Sequence, residues 1–154
     1  KMPLDWSQAG PGDVPSYQMS AVPFVTSSTA TECNTTTPIR VKFPNATRFF
    51  IIHNTDAANG DDLRIGFTRN GVLGQGAHTG SSPGPNPGHF VADRQNYFLL
   101  PGGETTGRLE IRCKELFFLA NANTCGFSIM AGLTPITNTM FPVLTGSEGY
   151  QGVG

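Results

Sequence analysis

Three imidazoles, three thiols and eleven carboxylates are the side chains of this sequence that could do chemistry, and their spacing assembles no reactive centre. His53, His78 and His89 match neither an HxH nor an HExxH pattern, so no cupin-like or zincin-like metal site is indicated. They read as solvated or hydrogen-bonded structural histidines. Nucleophilic catalysis needs a serine held rigidly beside a base. No GxSxG elbow occurs, and Ser81 and Ser82 stand in a Gly- and Pro-rich stretch that could not hold an attack geometry. A phosphate-cradling loop is also missing: Gly74-Gln75-Gly76 lacks the third glycine and the following helix of a dinucleotide fingerprint. Paired carboxylates for glycoside hydrolysis could come from distant parts of the chain, but no acid stands in a recognisable setting. Asp56, Asp61 and Asp62 share an oxygen-rich loop with Asn54 and Asn59, a composition that binds calcium in some proteins. The spacing is not that of an EF-hand loop, and the same residue types make ordinary turns. The expectation is a protein that is not an enzyme and that carries no cofactor or metal.

The thiols and the arginines remain. Cys33, Cys113 and Cys125 are odd in number and form no CxxC, which argues against a disulfide framework and against a zinc site. They read as small buried hydrophobes, with a single Cys113–Cys125 bridge as the alternative. Arg40, Arg48, Arg64, Arg69, Arg108 and Arg112 alternate out of strand-like runs and read as solvated or interface faces. The formal net charge is −1, so no overall field favours nucleic acid or an anionic membrane. No apolar run reaches the length of a membrane span, and the first residues lack the basic-then-apolar layout of a leader. Asn34-Thr35-Thr36 and Asn45-Ala46-Thr47 are glycosylation acceptor triplets, which matter only on a secretory route.

The elements that would position these groups are strands. Ile39-Arg40-Val41-Lys42-Phe43 alternates apolar with basic residues, which buries one face and solvates the other. Thr47 to Asn54 holds Phe49, Phe50, Ile51 and Ile52 in a row, the pattern of a mid-sheet strand covered on both faces. Leu63, Ile65 and Phe67 alternate in a third strand, closed by an Asn70-Gly71 turn. Further strands are predicted over Tyr17–Thr26, with Pro23 marking an edge or bulge, and over Asn96–Leu100, Thr105–Cys113, Leu116–Ala120 and Phe127–Ala131. Ser27 to Thr37 reads as a polar loop.

Charged residues make up only 14% of the chain, while Gly 19 and Pro 12 exceed their usual shares, so turns are many and helices few. Eleven Phe residues suit two facing sheets that must fill a gap of roughly 10 Å. The expected fold is an all-β antiparallel sandwich, a single jelly roll of about eight strands, in one domain over 17–136. Residues 1–16 form an extended arm whose Trp6, the only Trp, needs a docking place. Residues 73–94 form a long loop, and 137–154 an irregular tail that begins to lose its period at Leu133.

The run Phe43-Pro44-Asn45-Ala46-Thr47-Arg48-Phe49 through Leu63-Arg64-Ile65-Gly66-Phe67, the Asn70-Gly71-Val72 turn, Asn96-Tyr97-Phe98, and the closing Ile129-Met130-Ala131-Gly132-Leu133-Thr134 resemble small single-jelly-roll capsid proteins of icosahedral double-stranded DNA viruses. The penton proteins that close five-fold vertices are the nearest likeness, over about Pro38 to Ile136. The resemblance implies a homopentamer located in the virion, in contact with neighbouring major and minor capsid proteins, binding no specific nucleic acid and inserting in no membrane. Trp6 and the six arginines are then the candidate interface residues. The competing reading is a carbohydrate-binding β-sandwich module, with Trp6, Tyr17 and Tyr97 stacking on sugar and Asp61 or Asp62 holding calcium.

Overall fold

The computed structural model describes residues 10, 12, 14–18, 20–57, 61–74, 96–141 and 144. Seven strands make two antiparallel sheets. They are β1 (Val22–Ser28), β2 (Ile39–Lys42), β3 (Asn45–Asn54), β4 (Leu63–Gly66), β5 (Phe98–Leu100), β6 (Glu115–Ala120) and β7 (Phe127–Thr137). One sheet has the order β1-β7-β3 and the other β2-β6-β4-β5. Among the described residues, helix is confined to α1 (Pro15–Gln18), α2 (Arg69–Leu73) and a 3-10 turn over Asn138–Met140.

Alternation along the strands decides what the two sheets put between them. Phe50 and Ile52 of β3, Leu63 and Ile65 of β4, Leu116 and Phe118 of β6, and Phe127 and Ile129 of β7 are all buried in one shared core. The ring of Phe118 stacks on that of Phe127 at 4.1 Å, which sets β6 over β7. Phe24 of β1 meets Phe43, just past β2, edge-on at 5.2 Å, which sets β1 over β2. Ring pairs in such offset or edge geometry contribute about 1 kcal/mol beyond their area.

Several expectations change. Residues Thr105–Cys113 are not a strand, and the described residues hold seven strands rather than eight. The segment still runs along β3, exchanging both backbone bonds between Phe50 and Leu109 and meeting Thr105 opposite His53. Its ladder is broken because threonine hydroxyls take positions that backbone groups would hold. Thr106 Oγ1 accepts from the Ile52 N–H at 2.9 Å, and Thr47 Oγ1 accepts from the Cys113 N–H at 2.9 Å while donating to the Ile111 carbonyl at 2.7 Å. β3 therefore has β7 on one side and 104–113 on the other, as a mid-sheet run should. Its two faces are not equally covered: Phe50 and Ile52 are buried, whereas Phe49 and Ile51 on the outer face are only half-buried. Replacing the fully buried Thr47 by Val keeps the shape but strands the Cys113 N–H and the Ile111 carbonyl. The expected cost is about 2 kcal/mol, measurable as a lowered urea midpoint with unchanged slope.

The Asn70-Gly71 turn is instead the interior of α2. Thr68, extended at φ −137°, caps it by accepting from the Gly71 N–H, and Gly74 ends it at φ +72°, where a Cβ would be strained. The last strand does not stop at Gly132. β7 continues to Thr137 because the pairing slips: Thr47 is opposite Leu133, but Asn45 is opposite Thr137. Pro135 falls in that slip, where its missing N–H removes no ladder bond. The first strand starts at Val22 and runs to Ser28, so the polar loop begins at Thr29; Pro15–Gln18 is one helical turn. Trp6, residues 75–95 of the predicted long loop with His78 and His89, and most of the predicted tail lie outside the described residues.

A Cys113–Cys125 bridge is also excluded by placement. Cys113 contacts Thr47, with its Sγ 3.4 Å from Oγ1, and Cys125 contacts Cys33.

Candidate assembly surfaces

Register across β1, β7 and β3 sets side chains side by side on the outer face of that sheet. Val25, Met130 and Ile51 are directly opposed in one row, with Val25 68% and Met130 46% exposed. Pro23, Gly132 and Phe49 form the next row. Gly132 is the floor under Phe49: a Cβ there would lie 2.4 Å from the ring's Cε1. Arg108 lies over the same ring at 4.2 Å and pairs with Glu110 at 3.0 Å. The third row is polar, with Ser27 and Ser128 sharing a hydrogen bond at 2.9 Å and His53 Nδ1 2.8 Å from Thr105 Oγ1. An apolar row bordered by a polar one is thus presented on an outer sheet face.

Among the described residues, β1 and β2 are edge strands on the same side of the molecule, and no described strand closes the two sheets there. A groove of about 410 Å³ lies between them, floored by Phe24, Val41 and Phe127 and rimmed by Thr26, Glu32 and Arg40. Unpaired backbone groups on edge strands are templates for another chain.

The outer face of the second sheet is different. Arg40, Lys42, Arg69 and Lys114 line a cleft of about 640 Å³ with a single carboxylate, Glu115. Glu115 is taken by Arg40, whose Nε donates to Oε2 at 2.6 Å. The cleft is therefore a net-positive surface, of a kind that steers acidic partners at low salt.

The candidate interface arginines separate into distinct settings. Arg40 and Arg69 join the basic cleft. Arg64 is a framework residue: its Nε donates to Asn121 Oδ1 at 2.8 Å and its guanidinium lies 4.7 Å from the Tyr97 ring centroid. Arg108 covers Phe49. Arg48 is half-buried and Arg112 exposed. Val25 and Met130 do not stand out in the sequence, because they are neighbours only through strand register. Period-two alternation marks Met130, which shares the outward phase of β7 with Ser128, but not Val25, because Thr26 and Ser28 share the inward phase of Phe24 in β1.

Among the described residues, no group of three His, Cys, Asp or Glu side chains gathers as a metal site. Asp61 Oδ1 accepts from the Asn123 amide at 3.3 Å, and Asn54 makes three side-chain bonds that shape the loop before β4. No described helix is long and apolar enough to cross a membrane. Comparison with family models, with curated proteins and with solved structures gives no match to this chain.

Proposed function

We propose that this chain is a structural shell protein, a single jelly roll that assembles as a homopentamer at the five-fold vertices of an icosahedral virion. Counting the segment 104–113 as a strand, the chain-order numbers of the two sheets become 1-8-3-6 and 2-7-4-5. That order, produced by two interlocked Greek keys, supports the jelly-roll reading. The observation that carries the function is the apolar row Val25, Met130 and Ile51 on an outward sheet face beside β1, an edge strand among the described residues. A monomer leaves this row in water; a ring of copies covers it, at about 25 cal/mol for each Å² removed. The basic cleft on the opposite sheet is a second contact surface, suited to an acidic neighbouring capsid protein.

The direct test is the solution mass by light scattering over a concentration series, with and without calcium. Five copies of 16.4 kDa give about 82 kDa, and growth towards that mass with concentration is the expected result. A monomer whose melting temperature rises with calcium or a glycan would replace this reading with a carbohydrate-binding module.

A further inference from the structure

Two of the three thiols are set against each other by the topology. β1 and β7 pair in register to their common end, where Ser28 is opposite Phe127. Cys33 lies a few residues past that end of β1 and Cys125 just before that end of β7, so the two chains leaving the ladder meet again. The Cys125 N–H donates to the Cys33 carbonyl at 3.1 Å, and the Ala120 N–H donates to the neighbouring Asn34 carbonyl at 3.0 Å. Both cysteines are fully buried, and the Cys125 thiol donates to Cys33 Sγ at 3.8 Å. A backbone bond between two residues with facing sulfurs brings them within the short reach that a disulfide needs. Cys113 is held apart, bonded to Thr47.

We infer that Cys33 and Cys125 are an oxidisable pair, forming a disulfide that joins the β1–β2 loop to the start of β7, with hydrogen peroxide as oxidant. The Cys33 sulfur attacks one peroxide oxygen; the O–O bond breaks, leaving a sulfenic acid on Cys33 and releasing the other oxygen as water. The Cys125 sulfur then attacks the Cys33 sulfur, its proton passing to the departing hydroxyl, which leaves as a second water as the S–S bond forms. Two thiols lose two electrons and two protons, and the peroxide is reduced to two waters. The hydrogen bond from Cys125 holds the Cys33 thiol below the usual range and Cys125 above it, which orders the pair as attacker and resolver. Burial pushes Cys113 up to about 11, which keeps it a thiol.

The route of access in this proposal is the turn that leads into Cys33. That turn is local and exposed: Glu32 accepts from the Thr29 N–H at 3.0 Å and from Ser28 Oγ at 3.2 Å, and its N–H donates to the Thr29 carbonyl. A peroxide needs only this turn to open, not the sheets.

The intact chain is treated with hydrogen peroxide in the absence of thiols, then unfolded, alkylated and mapped by mass spectrometry. The expected result is a loss of about 2 Da, one Cys33–Cys125 cross-linked peptide and alkylation at Cys113 alone, all reversed by a thiol reductant. Because the bridge closes a loop across a separation of 92 residues, the melting temperature should rise by roughly 8–15 °C on oxidation and fall back on reduction. A Cys113→Ser variant should oxidise in the same way. A cross-link that includes Cys113, bridges between chains, or sulfinic acid at Cys33 without a cross-link would each overturn the proposal, and mapping the unmutated chain decides this even if Cys33 or Cys125 variants do not fold.

Discussion

Asn54→Asp is expected to destabilise the chain by about 4 kcal/mol at neutral pH and to make its stability fall with rising pH. The side chain of Asn54 is fully buried at the end of β3. Its amide nitrogen donates to the Asp61 carbonyl at 2.8 Å and to the Leu100 carbonyl at 3.1 Å, while its oxygen accepts from the Asp56 N–H at 3.1 Å. Its backbone adds bonds to Glu104 and Gly103. One side chain thus ties together the ends of β3 and β5 and the loop entering β4. An aspartate keeps the acceptor but turns its second oxygen towards two carbonyl oxygens. Two donors are lost and an unpaired charge is buried, a combination that costs several kcal/mol.

The sign of the pH effect follows from the same contacts. In its protonated form the introduced carboxyl donates one O–H to a carbonyl; the ionised form donates none. The folded pKa of the introduced group therefore lies above its unfolded value of about 3.9. Below that unfolded value the penalty is smallest, and it grows by about 1.4 kcal/mol per pH unit until pH passes the folded pKa. Urea unfolding of the variant against the unmutated chain, between about pH 3.5 and about pH 8, reads this directly. Asn54→Ala loses the same donors without the charge, so its deficit should be flat with pH. A flat deficit for the aspartate would mean that the loop reorganises and exposes the carboxylate.

Asn54 also marks where the sequence stopped being informative. The strands with a clear apolar signature were legible: β2 and β4, whose apolar positions alternate, and β6, whose continuous apolar run Leu116–Ala120 is buried on both faces, stand within a residue or two of their predicted bounds. The roles of Asn54, Thr47 and Thr106 were not legible. Their side chains replace backbone partners from segments far away in the chain, and a polar residue in a strand looks the same whether it faces water or closes a broken ladder. Likewise Asn70-Gly71 has the composition of a hairpin turn, but Thr68 caps a helical turn whose Val72 packs with Phe117 and Leu119. Pro135 read as the end of regular structure, yet a slip in pairing lets β7 run past it. The approach of Cys33 to Cys125 depends on the β1–β7 pairing, which neither strand announces. The candidate assembly surface was hidden for the same reason: Val25 and Met130 are separated by more than a hundred residues and become one row only through register.

Met130→Glu is expected to abolish self-association while leaving the monomer folded. Met130 stands on the central strand of its sheet, between Val25 and Ile51, and is 46% exposed with its side chain outward. In the monomer a glutamate there is solvated and costs no more than about 0.5 kcal/mol, so the melting temperature of the dilute chain should move by only one or two degrees. In a ring that covers the row, the same carboxylate loses its water, and the nearby Arg108 over Phe49 is already paired with Glu110. Burying an unpaired charge costs on the order of 3–5 kcal/mol per contact, a loss of roughly a hundred- to several thousandfold in affinity at each interface. A closed ring repeats that contact in every copy, so the penalty accumulates and the assembled species should vanish from light scattering at concentrations where the unmutated chain forms it. Thr35→Glu, on the exposed β1–β2 loop away from the row, adds the same charge to the chain and should leave assembly intact. If both variants assemble like the unmutated chain, the row is not the contact, and the open groove between β1 and β2 becomes the surface through which copies join.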